Sequence, residues 1–171
     1  MNPEITIKAE GTFNPPLEWE TEIDALVERY PQKRSAAVMV LHSLQDRFGF
    51  ISASGIEWVA KKLEVEPIHI LELVTFYPMF RQKPVGKYHI KVCRTISCAL
   101  SGSGKLHEYL LKKLGLHPNG HGILTTQDGR YSLEFVECLA SCGTGPVMMI
   151  NDRLYEKVSS ENIDAILGML P

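Results

Sequence analysis

The sequence predicts an α/β sandwich, one sheet with helices, preceded by a small bundle of short helices. Three observations carry that expectation. Through about residue 80 the apolar residues recur at helical spacing, interrupted by Pro and Gly. From Pro84-Val85-Gly86 onward the period falls to two, the spacing of a strand. The only four cysteines form two pairs, Cys93/Cys98 and Cys138/Cys142, and each pair opens at the end of an apolar run. The expected division is a poorly ordered lead-in over 1–16, a helical bundle over 17–83 and the α/β domain over 84–171.

The lead-in ends at Asn14-Pro15-Pro16 and carries little pattern. A first helix is expected from Glu18, with Trp19, Ile23, Leu26, Val27 and Tyr30 on one face and Pro31 ending it. A second runs from Ser35 to Phe48, with Ala37, Val40, Leu41, Leu44 and Phe48 as its stripe and Gly49 as its stop. Ser54-Gly55-Ile56-Glu57 has the spacing of a capping box and starts a third, which buries Ile56, Val59, Ala60 and Leu63. Pro67 suits the first position of a fourth helix through about Thr75, because its missing N–H has no partner there anyway.

In the second half, Tyr88, Ile90 and Val92 alternate with His89, Lys91 and Cys93 in a strand. Ser101–Leu114 reads as helix, with Leu106, Tyr109, Leu110, Lys113 and Leu114 as its stripe and Gly115 as its stop. Asp128-Gly129 turns Ile123–Thr126 into Tyr131–Val136, a hairpin ending at Cys138. Val147–Ile150 is a further strand, turned at Asn151-Asp152 into Leu154-Tyr155. Ser160 caps a last helix with Ile163, Ile166, Leu167 and Leu170 inward. The order is β-α-β-β-β-α, and four thiols sit on two short loops at one end of the sheet.

Composition narrows the function. A formal net charge of −2 gives no electrostatic case for nucleic acid. No run of about eighteen apolar residues occurs, so no insertion in a membrane is expected. Met1–Lys8 lacks the blocks of a secretory signal and the arginines of a transit peptide, which predicts a reducing, cytoplasmic compartment. There, four cysteines bind metal or do redox chemistry more often than they form disulfides. A dithiol enzyme would use Cys-x-x-Cys, whereas these spacings are four and three residues. Structural zinc satisfies its tetrahedral preference with four thiolates, but favours tight knuckles around one ion. A [2Fe–2S] cluster takes two thiolates per iron, and one pair per iron from separate loops matches it. Spacing alone leaves zinc and iron–sulfur both open.

Val92-Cys93-x4-Cys98, then after roughly forty residues Glu137-Cys138-Leu139-Ala140-Ser141-Cys142-Gly143-Thr144-Gly145-Pro146, closely resembles the thioredoxin-like [2Fe–2S] ferredoxins. More narrowly it is similar to the family of E subunits of NADH:quinone oxidoreductase, respiratory complex I. Thr75–Phe80, Pro84–Tyr88 and Met149–Asp152 share the likeness, which runs from about Trp19 to the end. Ala140 is a departure, because many relatives have glycine there. The resemblance implies a one-electron carrier of that oxidoreductase, with Cys93, Cys98, Cys138 and Cys142 as ligands of one [2Fe–2S] cluster. It implies docking against a flavoprotein subunit that binds FMN and oxidises NADH, with other peripheral-arm subunits around it. It also implies a place peripheral to the inner face of the cell membrane through the complex. Soluble NAD-linked formate dehydrogenases and hydrogenases use similar subunits and are the alternative parents. A zinc-stabilised interaction module is the alternative from another class.

Other motifs are read blandly. Ser101–Leu106 fails the phosphate-loop pattern twice, at Ala99 and at Leu106, and reads as a turn beside the site. His117 and His121 have no companion ligands nearby in sequence and read as an exposed loop. His42, His69, His89 and His107 read as surface or packing residues, and Met148-Met149 as core. Arg94 and Lys105, near the thiols, are candidates for favouring reduction of an anionic cluster. Phe76, Tyr77 and Phe80 are candidates for core or for partner contact.

Overall fold

The computed structural model describes residues 13–117 and 122–171. The expected lead-in therefore lies outside the described residues up to position 12, and so does most of the His117–His121 loop. The chain divides into two compact units, Met1–Pro84 and Val85–Pro171.

The first unit holds α1 (Leu17–Val27), a 3-10 turn (Lys33–Ala36), α2 (Ala37–Phe48), α3 (Ala53–Leu63) and α4 (Pro67–Phe76). The apolar stripes foreseen in the sequence form its core. Trp19, Ile23, Val40, Leu41, Leu44, Ile56, Val59, Leu63 and Ile70 are all buried. Edge-to-face contacts of Phe13 with Trp19, Phe48 and Trp58 close one end of it. Gly49, at φ 84°, ends α2 in the left-handed conformation. Pro67 starts α4. The cap of α3 differs from expectation. Ser52, not Ser54, occupies the cap position, and its hydroxyl accepts the Gly55 N–H at 3.0 Å. Two serines two residues apart both offer a cap, and the extended backbone at Ser52 decides between them. Phe80 is core against the His42 ring, whereas Phe76 is exposed.

The second unit is built on a five-stranded sheet in the order β2-β3-β1-β4-β5. Its strands are β1 (Tyr88–Cys93), β2 (Leu124–Thr125), β3 (Tyr131–Val136), β4 (Met148–Ile150) and β5 (Arg153–Tyr155). β1 and β3 run parallel, with Ile90 opposite Leu133 and Cys93 opposite Val136, and the other pairings are antiparallel. A parallel pair needs a long crossover, and the helical segment after β1 supplies it. Leu106 and Leu110 of that crossover pack with Ile90, Val92, Leu133, Met148 and Ile150, and with Ile163 and Leu167 of the last helix. Gly86 runs so close beneath the hairpin that an added Cβ would meet the Gly129 carbonyl oxygen at 2.8 Å.

Three expectations need correction here. The crossover is two helices, α5 (Ile96–Leu100) and α6 (Ser103–Lys113), rather than one from Ser101. Gly102, at φ 101°, breaks the chain between them. Cys98 therefore lies on a helix and not in a loop. The turn at Asn151 feeds a separate fifth strand, so the order is β-α-α-β-β-β-β-α. The last helix, α7 (Ile163–Gly168), starts after Asn162 rather than Ser160. The Asn162 side chain ties back instead to the Ser159 N–H and the Lys157 carbonyl.

Candidate metal centre

β1 ends on Cys93, whose Sγ is carried at the tip of the central strand and almost fully buried. Its N–H donates to the Val147 carbonyl at 3.1 Å, and the next N–H, of Arg94, to the Val136 carbonyl at 2.8 Å. The first thiol is thus pinned between β3 and the entry to β4. Thr95 is extended and turns the chain into α5, a single short helix that carries Cys98 on its buried side. Gly145 lies against that helix. A Cβ there would sit 3.5 Å from the Cys98 Cα and 3.2 Å from the Ser101 hydroxyl. The second pair lies on the exposed segment after β3. Cys138 and Cys142 are both accessible, and Cys142 opens a 3-10 turn through Thr144 that leads to a cis Gly145–Pro146 peptide.

The two segments are stitched together around Leu139. This residue, next to Cys138, packs against buried Cys93, Cys98 and Val147, and its N–H is one of the groups that hold the Cys93 thiol down. The Val147 N–H acts against burial at the Cys98 thiol, and the Ala140 N–H donates to the Cys138 sulfur at 3.3 Å. Ala140 makes that last bond from a left-handed conformation, φ 59°. The loop therefore keeps a glycine-like backbone at Ala140.

These contacts set the thiol acidities. Burial pushes the Cys93 thiol up, but hydrogen bonds from the Thr95 hydroxyl at 3.2 Å and from the Leu139 and Thr95 N–H groups outweigh it. The net direction is down, toward thiolate. Burial pushes the Cys98 thiol up, the Val147 N–H opposes that, and the neighbouring Cys93 and Cys142 sulfurs raise it further. Cys98 thus shares one electrostatic neighbourhood with a cysteine of each pair. Crowded thiols of this kind are relieved by a cation, which is what a metal centre supplies.

Among the described residues, no three His, Cys, Asp or Glu side chains are gathered closely enough to hold a metal ion. The fit to an iron–sulfur cluster rests instead on the donor set. It offers four sulfurs and nothing harder, with the Ala140 N–H donating to the Cys138 sulfur and the Thr95 hydroxyl beside the Cys93 sulfur.

Arg94 and Lys105 stand differently from one another. Arg94 forms a two-pronged pair with Glu137, Nε to Oε1 at 2.9 Å, so a carboxylate beside it offsets its charge. Lys105 is exposed on α6. His107 is a packing residue, stacked on Phe135 at 4.4 Å between ring centres. Three contributors escaped the sequence reading: Thr95, Leu139 and Val147. Thr95 and Leu139 each carried a signal, since one lies inside the Cys93-x4-Cys98 spacing and the other between Cys138 and Cys142.

A family model described as thioredoxin-like [2Fe–2S] ferredoxin matches residues 23–171. The E 2 subunit of the NADH-quinone oxidoreductase of Rhizobium meliloti is 37% identical over 146 residues, covering 85% of this chain and 84% of that protein. The E subunit of the NADH-quinone oxidoreductase of Aquifex aeolicus is 34% identical over 156 residues, covering 91% and 95%. Among solved structures, an NAD+-reducing [NiFe]-hydrogenase in the air-oxidized state superposes with a TM-score of 0.61 at 21% identity. That match covers 75% of this chain and 22% of the hydrogenase chain, and it shows a shared fold. The family match spans nearly the whole sequence, and the relatives align along most of their own length. On that footing this chain belongs to the thioredoxin-like [2Fe–2S] ferredoxin family, among the E subunits of NADH-quinone oxidoreductase.

Proposed function

We propose that Cys93, Cys98, Cys138 and Cys142 hold the [2Fe–2S] cluster of the family, and that residues 84–171 are the domain that carries it. The observation that supports this most is the packing of Leu139, beside Cys138, against buried Cys93 and Cys98, which joins the two cysteine segments. Bound there, the cluster supplies one-electron chemistry. The chain's own work is to bury one pair of sulfurs, expose the other, and aim N–H groups at them. Such hydrogen bonds stabilise added negative charge and favour the reduced state.

In this reading the subunit passes single electrons within an NADH-oxidising complex. A flavoprotein partner binds FMN and NADH, and other peripheral-arm subunits surround it. The first unit, over residues 17–83, serves as a docking surface for those partners, after a lead-in over 1–16. Among the described residues no helix is long and apolar enough to cross a membrane. The place proposed is accordingly peripheral, at the inner face of the cell membrane through the complex. The shared fold with the NAD+-reducing hydrogenase favours a second parent, a soluble NAD-linked hydrogenase or formate dehydrogenase.

Anaerobic purification with a tag on this chain tests both statements. A red-brown protein whose colour is lost in Cys98→Ser supports the thiolate ligation, and a colourless wild type overturns it. Co-purifying subunits that oxidise NADH and reduce quinone mark the first parent, and a hydrogenase or formate dehydrogenase activity marks the second.

A further inference from the structure

The Cys138–Cys142 segment has little to fix its shape. It is largely exposed, its regular structure is one three-residue turn, and of its apolar side chains only Leu139 reaches the core. What fixes it comes from the segment that follows β5. The Lys157 N–H donates to the Thr144 carbonyl at 2.8 Å, and the Val158 N–H to the Pro146 carbonyl at 2.9 Å. Val158 itself is fully buried and anchors this splint in the sheet's core. Ahead of it, Glu156 Oε1 accepts the Ser141 hydroxyl at 2.6 Å and the Thr144 hydroxyl at 2.5 Å. Those two hydroxyls lie 2.8 Å apart, one on each side of Cys142. One oxygen of this exposed glutamate accepts both hydroxyls.

We infer that Glu156 is a positioning residue for the iron–sulfur site: its carboxylate clamps the Ser141 and Thr144 hydroxyls, presets the Cys142 loop, and places a fixed negative charge on that side of the cluster. The inference rests on the cluster assignment above. The hydroxyls, Ser141 first, hold the Glu156 carboxyl below the usual carboxylate range, so the clamp is an anion at neutral pH. Hydrogen bonds to a charged acceptor are the strong ones, which suits a single carboxylate to this task.

The test compares wild type, E156Q and E156A, purified anaerobically with iron and sulfide counted. Two readouts are taken: the rate of bleaching by an iron chelator, and an EPR-monitored redox titration. In E156A the loop loses its clamp, and bleaching speeds up several-fold. E156Q keeps an oxygen for the hydroxyls and restores slow bleaching. Its missing charge raises the reduced-to-oxidised ratio about threefold at a fixed ambient potential. A merely structural glutamate would leave that ratio unchanged in E156Q. A wild-type bleaching rate in E156A, or a wild-type ratio in E156Q, overturns the inference. Wild-type protein lacking iron and sulfide defeats the cluster assignment instead.

Discussion

Replacing Ala140 with glycine is expected to stabilise the second unit. Ala140 sits at φ 59°, in the left-handed region, and its side chain is exposed. An L-residue with a Cβ gives up about 1–2 kcal/mol there, because Cβ approaches the following carbonyl oxygen. Glycine removes that strain but gains freedom in the unfolded chain, which costs back about 0.4–1 kcal/mol. The difference leaves A140G about 0.7 kcal/mol more stable, with no packing lost and the Ala140 N–H bond to the Cys138 sulfur unaffected. For a unit the size of Val85–Pro171, this corresponds to a rise in Tm of roughly 3–5 °C. Thermal unfolding followed by calorimetry reads it directly. A140V places a β-branched side chain in the same conformation and is expected to lower Tm. The reasoning is refuted if A140G melts several degrees lower, or if A140V melts with the wild type.

Further outcomes follow from other contacts. Gly86→Ala puts a Cβ within 2.8 Å of the Gly129 carbonyl oxygen and 2.9 Å of the Tyr131 carbonyl carbon. Since both neighbours are backbone, urea denaturation should show a loss of about 1–3 kcal/mol. Glu134→Ala leaves buried His89 without the carboxylate 3.0 Å from its Nε2, while among the described residues its Nδ1 has no partner. About 1–2 kcal/mol of stability should go, and E134Q should recover part of it. Burial holds His107 below the usual imidazole value of 6.5. A depressed folded value means the unfolded chain binds the proton first as pH falls. The stability His107 contributes is therefore complete above pH 6.5 and lost below it. Melting curves between about pH 7 and 5 should show this slope in wild type and a weaker one in H107F.

Much of this architecture is legible in the sequence because local chemistry dictates it. Gly49, Pro67, Gly115 and Asp128-Gly129 punctuate the chain where their backbone preferences demand. The apolar stripes of α1 to α4 form the core of the first unit, as their spacing predicts. Where the expectation and the fold differ, the deciding contact is either too short or too distant in sequence. α5 is five residues long, less than two turns, and shows no periodicity to detect. His89 reads as a surface or packing residue, and it is buried with Glu134, 45 positions on, beside it across the parallel β1–β3 pairing. Arg94 reads as a lone cation near the thiols until the same pairing brings Glu137 beside it. At the site itself, the spacing of the cysteines and their small neighbours is visible in the sequence. The N–H donors of Leu139 and Val147 are not, since any residue type but proline carries that group and only the fold aims it.

Everything proposed about electron transfer depends on what the thiols hold, and one preparation decides it. Anaerobically purified wild-type protein, reduced with dithionite, should contain two irons and two acid-labile sulfides per chain. It should also give the rhombic EPR signal of a single unpaired electron shared by an iron pair. Zinc in place of iron, no labile sulfide and no EPR signal, with all four thiols intact, would contradict the account.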